Sequence, residues 1–207
     1  MAEPFRIAVL VSGRGTNLQA LIDTVHGAEI EIVGVGASRP EAQGLERAQL
    51  AGIETGVFSL DRGRSRQTRD AALGDWLDRR GVQLVVLAGW MELLGPEFVG
   101  RFLGRIINVH PSLLPAFAGL RAIEQAVGYG AKVTGVTVHF VDAGIDTGAI
   151  VLQEALELSY PAAIADIETR VHSIEHRLLP RAVRLIAKGR VRPDPAHPRT
   201  VLIDDGD

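Results

Sequence analysis

The chain has no cysteine, which excludes disulfides, thiolate zinc sites and cysteine nucleophiles. It also lacks a basic excess: 22 Lys and Arg stand against 25 Asp and Glu, a net charge of −3. A nucleic-acid partner is therefore not expected. No apolar run is long enough to span a membrane, and the opening MAEPFRIAVLVSG carries an acid at Glu3 and too short an apolar core for a signal peptide. A cytoplasmic protein with no membrane partner follows by default. Repeats and low-complexity segments are absent too. What remains is 207 residues, 46% hydrophobic and 23% charged, enough for one domain with a sizeable core and short for two.

Apolar, β-branched runs alternate with stretches of helical period. Strands are expected at Arg6–Val11, Glu29–Gly36, Glu54–Ser59, Gln83–Ala88, Arg105–Val109, Lys132–Val141 and Ala149–Leu158. Helices are expected near 17–26, 40–51 and 65–80, between Gly and Pro punctuation. Continuous apolar strands such as QLVVLA, 83–88, indicate burial on both faces, as in a parallel sheet covered by helices. The fold class is α/β, doubly wound in its first half. The Gly-rich DAGIDTG, 142–148, between the last two strands suits an antiparallel pair or a loop over the sheet. Ile164, Ile167, Val171, Ile174, Leu178, Ala182 and Leu185 recur at three- and four-residue steps, the apolar stripe of a long helix. Pro161 suits its start, whereas Pro180 should kink or interrupt it. The tail from Arg192, with Pro193, Pro195 and Pro198, is expected to lie at the surface or to be loosely attached.

Three constellations could carry chemistry. Ser12-Gly13-Arg14-Gly15-Thr16-Asn17-Leu18 leads from the first strand into the first helix. Glycines there let backbone N–H groups and the helix dipole approach an anion, and a phosphate is the natural ligand. The plainer reading is a tight turn capped by Thr16 or Asn17. The second is NVHPSLLP, 108–115, taken with Asp146. An amide at Asn108 can donate to charge developing on a carbonyl oxygen, and an imidazole at His110 can move a proton near neutrality. A carboxylate at Asp146 would favour the imidazolium and orient it. Each residue alone reads more simply as a cap, a core histidine or a turn; together they describe an acyl-transfer site. Leu114-Pro115 is a candidate cis bond. The third, HSIEH at 172–176, has two histidines at ligand spacing but no evident third ligand, so no metal is expected. His139 reads as packed or supporting. Arg62, Arg64, Arg66 and Arg69 form a basic cluster, usually a solvated face, from which one arginine could meet an anionic substrate.

SGRGTNLQALID, LAGWMELLGPEFV, NVHPSLLPAF, VTVHFVDAGIDTG and IEHRLLP, in that order, resemble the phosphoribosylglycinamide formyltransferases, folate-dependent enzymes of purine biosynthesis, over about residues 6–190. The resemblance implies transfer of formyl from 10-formyltetrahydrofolate, as co-substrate, to the amine of glycinamide ribonucleotide. It implies the formyltransferase fold, a doubly wound, mostly parallel Rossmann-like sheet with an antiparallel C-terminal extension. The organisation expected over 1–207 is a single domain: a nucleotide-binding half to about 100, a folate and catalytic half over about 101–190, and a tail from 191. By position, Gly15, Thr16 and Asn17 would hold the ribonucleotide phosphate and Glu175 would lie near the amine. Arg66, Met91, Glu92, Leu93, Leu94 and Asn108 would contact the folate, and Asn108, His110 and Asp146 would be catalytic. A monomer or homodimer is expected. Glu92 departs from the family, where Arg is frequent, as do Ala118 from Pro, Arg121 from His and His172 from Gln. Two related activities share the motifs: release of formate from the folate, and formylation of an initiator tRNA. Those relatives usually carry a further N-terminal or C-terminal domain, neither expected here. A nucleotide-binding protein without a reactive centre would keep only the glycine loop.

Overall fold

The computed structural model describes residues 3–27, 29–60, 65–197 and 199–204. Arg62 and Arg64 of the basic cluster and Pro198 of the tail lie outside the described residues. The chain divides into two compact units, Met1–Ile107 and Asn108–Asp207.

The first unit alternates strand and helix: β1 (Phe5–Val11), α1 (Thr16–Val25), β2 (Ile30–Ala37), α2 (Gln43–Leu50), β3 (Thr55–Val57), α3 (Arg66–Asp78), β4 (Leu84–Leu87) and α4 (Pro96–Arg101). Its strands run in the order β3-β2-β1-β4, and every pairing among them is parallel. Ile7 to Val11 and Val85 to Val86 have no solvent exposure, which is why their sequence is continuously apolar rather than alternating. α3 begins where the Ser65 hydroxyl accepts the Thr68 N–H at 3.1 Å, an N-cap that satisfies one orphan donor of the first turn. α4 was not anticipated: at six residues it is too short to show a period, and only Pro96 at its start marks it.

β5 (Ile106–His110) carries the division between the units in its middle. The second unit continues with α5 (Ala122–Tyr129), β6 (Val133–Phe140), β7 (Ile150–Glu157), α6 (Ile164–Ala187), β8 (Val191–Pro193) and β9 (Val201–Ile203). The strand order is β5-β6-β7, and all seven strands from β1 to β7 belong to one mostly parallel sheet. β6 and β7 are antiparallel, with a register shift between Val138 and His139. An irregularity at that point re-aims the side chains beyond it.

Three expectations are corrected. Pro180 does not interrupt α6, which runs over 24 residues; proline removes one helical hydrogen bond there, and its buried ring packs in the core instead. Pro161 does not start that helix: it follows a cis bond to Tyr160, and the helix begins at Ile164. The described tail residues lie at the surface, as one of the two readings had it, but they are not loose, because β8 and β9 pair as a hairpin. The Asp204 N–H also bonds the Arg190 carbonyl at 3.0 Å, and Arg199 Nη2 donates to the Thr147 carbonyl at 2.9 Å. Neither β8 nor β9 carries enough alternation in its three residues to be read from sequence.

Candidate active site

In the first unit the glycine loop is held from outside. Gly15 is the N-cap of α1 with φ 68°. Having no side chain, it caps nothing, so neither Thr16 nor Asn17 occupies the N-cap, contrary to the plainer reading of the loop. A Cβ on Gly15 would lie 2.6 Å from Gly44 Cα, so glycine is required both by the left-handed backbone and by the approach of α2. Gly44 N–H donates to the Gly13 carbonyl at 3.1 Å and Arg47 Nε to the Arg14 carbonyl at 2.8 Å. The result is a helix N-terminus opening from a rigid turn, an arrangement suited to an anion.

Ser12, which sequence reasoning did not single out, connects this loop to the segment after β4. Its hydroxyl accepts the Met91 N–H at 2.8 Å and the Ser38 hydroxyl proton at 2.7 Å, and its N–H donates to the Gly89 carbonyl at 3.0 Å. Met91 and Leu93 are exposed large apolar side chains. Arg66 is exposed at the first position of α3. It lines a cavity of about 430 Å³ with Gln67, Asp70, Gly95, Phe98 and Arg101. Arg69, expected on a solvated face, is buried at 1% exposure.

In the second unit Asn108 and His110 leave the same side of β5, two residues apart, and Asp146 reaches them from the loop between β6 and β7. Asp146 Oδ2 lies 3.4 Å from His110 Nδ1 and accepts the Gly119 N–H at 2.8 Å. Its Oδ1 accepts from Asn108 Nδ2 at 3.4 Å. His110, buried at 5%, donates from Nε2 to the Phe117 carbonyl at 3.0 Å. Both ring nitrogens thus face groups that only accept. Asp146 adopts φ 52° and Phe117 φ 53°, strained conformations for residues with side chains, and both present an oxygen to His110.

His139 joins this cluster. The ring is buried at 2% and donates from Nδ1 to the Phe140 carbonyl at 2.8 Å. Its Nε2 lies 3.2 Å from Asn108 Nδ2 and 3.5 Å from Asp146 Oδ1. Without a proton Nε2 accepts from the amide; with one it donates to the carboxylate. Burial opposes the charge on Asp146, but the hydrogen bonds from His139 and the Gly119 N–H and the neighbouring charge of His110 outweigh it. Together they hold the carboxyl below its usual range.

The Leu114–Pro115 bond is cis, as anticipated. The exit after His110 is further fixed by Thr137, whose hydroxyl donates to the Ser112 carbonyl at 2.7 Å and accepts the Leu114 N–H at 3.1 Å. Gln153 Nε2 donates to the Leu114 carbonyl at 2.9 Å. Alternation in β6 could have marked Thr137 and His139 as one polar row, but a polar row on a strand more often faces solvent. Glu175 is buried at 5% on α6 and accepts from His172 Nδ1 at 3.0 Å. His172 and His176 stack with ring centroids 6.2 Å apart. Among the described residues no group of three or more His, Asp or Glu could hold a metal ion. Arg121 is exposed, its Nε 3.3 Å from Glu124.

Residues 5–183 match the formyl transferase family. The phosphoribosylglycinamide formyltransferase of Haemophilus influenzae is 41% identical over 189 residues, 90% of this chain and 89% of its own length. The human trifunctional purine biosynthetic protein adenosine-3 is 41% identical over 90% of this chain, which spans only 19% of that protein. The crystal structure of glycinamide ribonucleotide transformylase 1 from Symbiobacterium toebii superimposes with a TM-score of 0.93 at 43% identity, covering 99% of this chain and 96% of that one.

Proposed function

The chain belongs to the formyl transferase family, and from that premise we propose how its residues divide the work of moving a formyl group. The reaction is the transfer of formyl from 10-formyltetrahydrofolate to the amine of glycinamide ribonucleotide, a step of de novo purine biosynthesis. The observation that carries the assignment of residues is the position of Asp146, within 3.4 Å of both His110 Nδ1 and Asn108 Nδ2.

The amine attacks the formyl carbon directly, giving a tetrahedral intermediate with no bond to the protein. The carbonyl oxygen becomes an oxyanion, and the donors for it are Asn108 and His110. The amide N–H that now makes a long 3.4 Å contact to Asp146 is the one free to turn to the substrate, since a contact of that length contributes little. His110 Nε2 donates to the oxyanion once the formyl oxygen takes the position of the Phe117 carbonyl. Asp146 keeps the ring oriented and doubly protonated. Collapse breaks the bond from the formyl carbon to the folate nitrogen, and the amine's proton passes to that nitrogen through water. The loop of Gly15, Thr16 and Asn17 holds the phosphate of the ribonucleotide, and Glu175 lies near its amine. Residues 91–94 and Asn108 bind the folate, and Arg66 meets its acidic end.

Incubation with the formyl donor, with and without glycinamide ribonucleotide, tests this reading. Loss of the formyl group only when the ribonucleotide is present is the expected result. Loss without it would identify a hydrolase, and ribonucleotide binding without turnover a binding protein.

A further inference from the structure

The most deeply buried ion pair among the described residues plays no part in that chemistry. Arg69 has a side chain with no exposure, and its neighbour Asp70 has 5%. A buried charge is costly unless it is paired and hydrogen-bonded, so its partners indicate what it is for. Arg69 Nε donates to Asp70 Oδ1 at 2.7 Å and Nη2 to the Leu93 carbonyl at 2.7 Å. The guanidinium carbon lies 5.5 Å from the centroid of Trp90. Asp70 Oδ2 accepts the Gly95 N–H at 2.6 Å. The pair therefore grips the segment after β4 at three points: the ring of Trp90, the carbonyl of Leu93 and the amide of Gly95.

The segment so held is polar where it meets the protein and apolar where it meets solvent. Its backbone groups are bonded inward, with Ser12 taking the Met91 N–H at 2.8 Å, while Met91 and Leu93 are 62% and 56% exposed. A segment fixed by a buried ion pair and presenting two large apolar side chains outward is organised to bind a flat apolar group. Arg69 Nη1 is buried with no hydrogen-bond partner. The carboxylate nearest to it is that of Glu92, at 3.9 Å, so the cation also compensates the one charged side chain of residues 91–94.

We propose that Arg69 is a positioning residue for the formyl donor. With Asp70 it holds residues 91–95 in the single conformation that receives the ring system of the folate. The proposal rests on the reading of 91–94 as folate contacts. It adds the group that sets their geometry, by the rule that pre-ordering a binding segment reduces the entropy lost on binding.

The test is steady-state kinetics on Arg69→Met, Arg69→Lys and Asp70→Asn, with thermal unfolding of each. Arg69→Met keeps the length of the side chain and removes every donor. It is expected to raise KM for the formyl donor by about 10- to 100-fold while KM for the ribonucleotide stays within about threefold. Arg69→Lys cannot reach both Asp70 and Leu93 with one ammonium and should recover little of the loss. Asp70→Asn keeps the shape but loses one acceptor, and is expected to shift donor KM in the same direction by a smaller factor. Amide exchange at Leu94 and Gly95 should accelerate in all three variants. A purely structural role would lower the unfolding temperature and disturb both KM values alike. That result, or an unchanged donor KM in folded variants, overturns the proposal. If Arg69→Met does not fold, Asp70→Asn decides. Tetrahydrofolate binding, followed by tryptophan fluorescence, separates the two readings. A wild-type protein that binds tetrahydrofolate yet transfers nothing sinks the proposed reaction, and the effect of the variants on that binding still judges Arg69.

Discussion

Replacement of Gly15 by alanine probes the backbone and the ligand together. At φ 68° a residue with a side chain pays about 1–2 kcal/mol for the left-handed conformation. The new Cβ would stand 2.6 Å from Gly44 Cα, whereas ordinary contact begins at 3.4 Å, so the two must separate by 3.4 − 2.6 = 0.8 Å. The obstacle is backbone and cannot rotate away. Nor can α2 readily retreat, since Gly44 N–H is bonded to the Gly13 carbonyl and Arg47 to the Arg14 carbonyl. Relief of such a clash costs about 1–3 kcal/mol more, for a total of about 2–5 kcal/mol. Urea unfolding should show that loss as a lower midpoint at unchanged slope. A loop displaced by nearly an ångström presents its amides wrongly, and misplacement on the order of 1 Å costs about 10². KM for the ribonucleotide should therefore rise about 10- to 100-fold, with KM for the formyl donor little altered. An unchanged midpoint would refute the packing argument. A lower midpoint with an unchanged ribonucleotide KM would refute the phosphate assignment.

Asn108→Ala and His110→Ala are each expected to lower kcat by about 10²–10⁴ with the fold intact by circular dichroism; near-normal turnover in either removes it from the oxyanion site. Asp146, held below the usual carboxylate range, stabilises the fold while ionised. The unfolded carboxyl titrates near about 4, so this contribution is full above that pH and is lost as pH falls through the lowered folded value. The difference in unfolding free energy between wild type and Asp146→Asn should shrink on acidification, and a difference that stays flat from pH 7 to about 3 contradicts the assignment. Burial lowers the His176 pKa, with the charge of His172 adding to it and that of Glu175 opposing it. The neutral ring is thus favoured, and stability should fall as pH drops through and below about 6.5. His176→Gln should lose that part of the pH dependence, and an unaltered stability profile would count against it.

The strands were the most legible part of the chain, because a parallel sheet covered on both faces writes itself as uninterrupted runs such as Leu84-Val85-Val86-Leu87. α6 was legible for the matching reason, a stripe at helical spacing over 24 residues. The elements missed, α4, α5 and the β8–β9 hairpin, are at most eight residues each, too short for a period to mark them; α2 and β3 are as short, and were placed by the alternation of strand and helix and the Gly and Pro punctuation around them. Asn108, His110 and Asp146 were identified from residue type and motif, and the structure brings their side chains together. His139, read as packed or supporting, is both: its ring is buried at 2% and its Nε2 lies 3.2 Å from Asn108 Nδ2 and 3.5 Å from Asp146 Oδ1.

Some properties needed no coordinates. Absent cysteine and a charge near balance limited the chemistry, the apolar runs determined a wound α/β sheet, and the spacing of Asn108 and His110 put both on one side of one strand. Tertiary structure decided what local sequence has no means to encode. Arg69 and Asp70 sit in a stretch that reads as a basic helix start, yet their burial depends on Trp90, Leu93 and Gly95, more than twenty residues away in sequence. The acidity of Asp146 likewise arises from His139, Gly119 and His110, three separate segments whose approach is set by how the second unit packs. A side chain's charge is written in the sequence; whether that charge is solvated, paired or pinned is set by its neighbours in space.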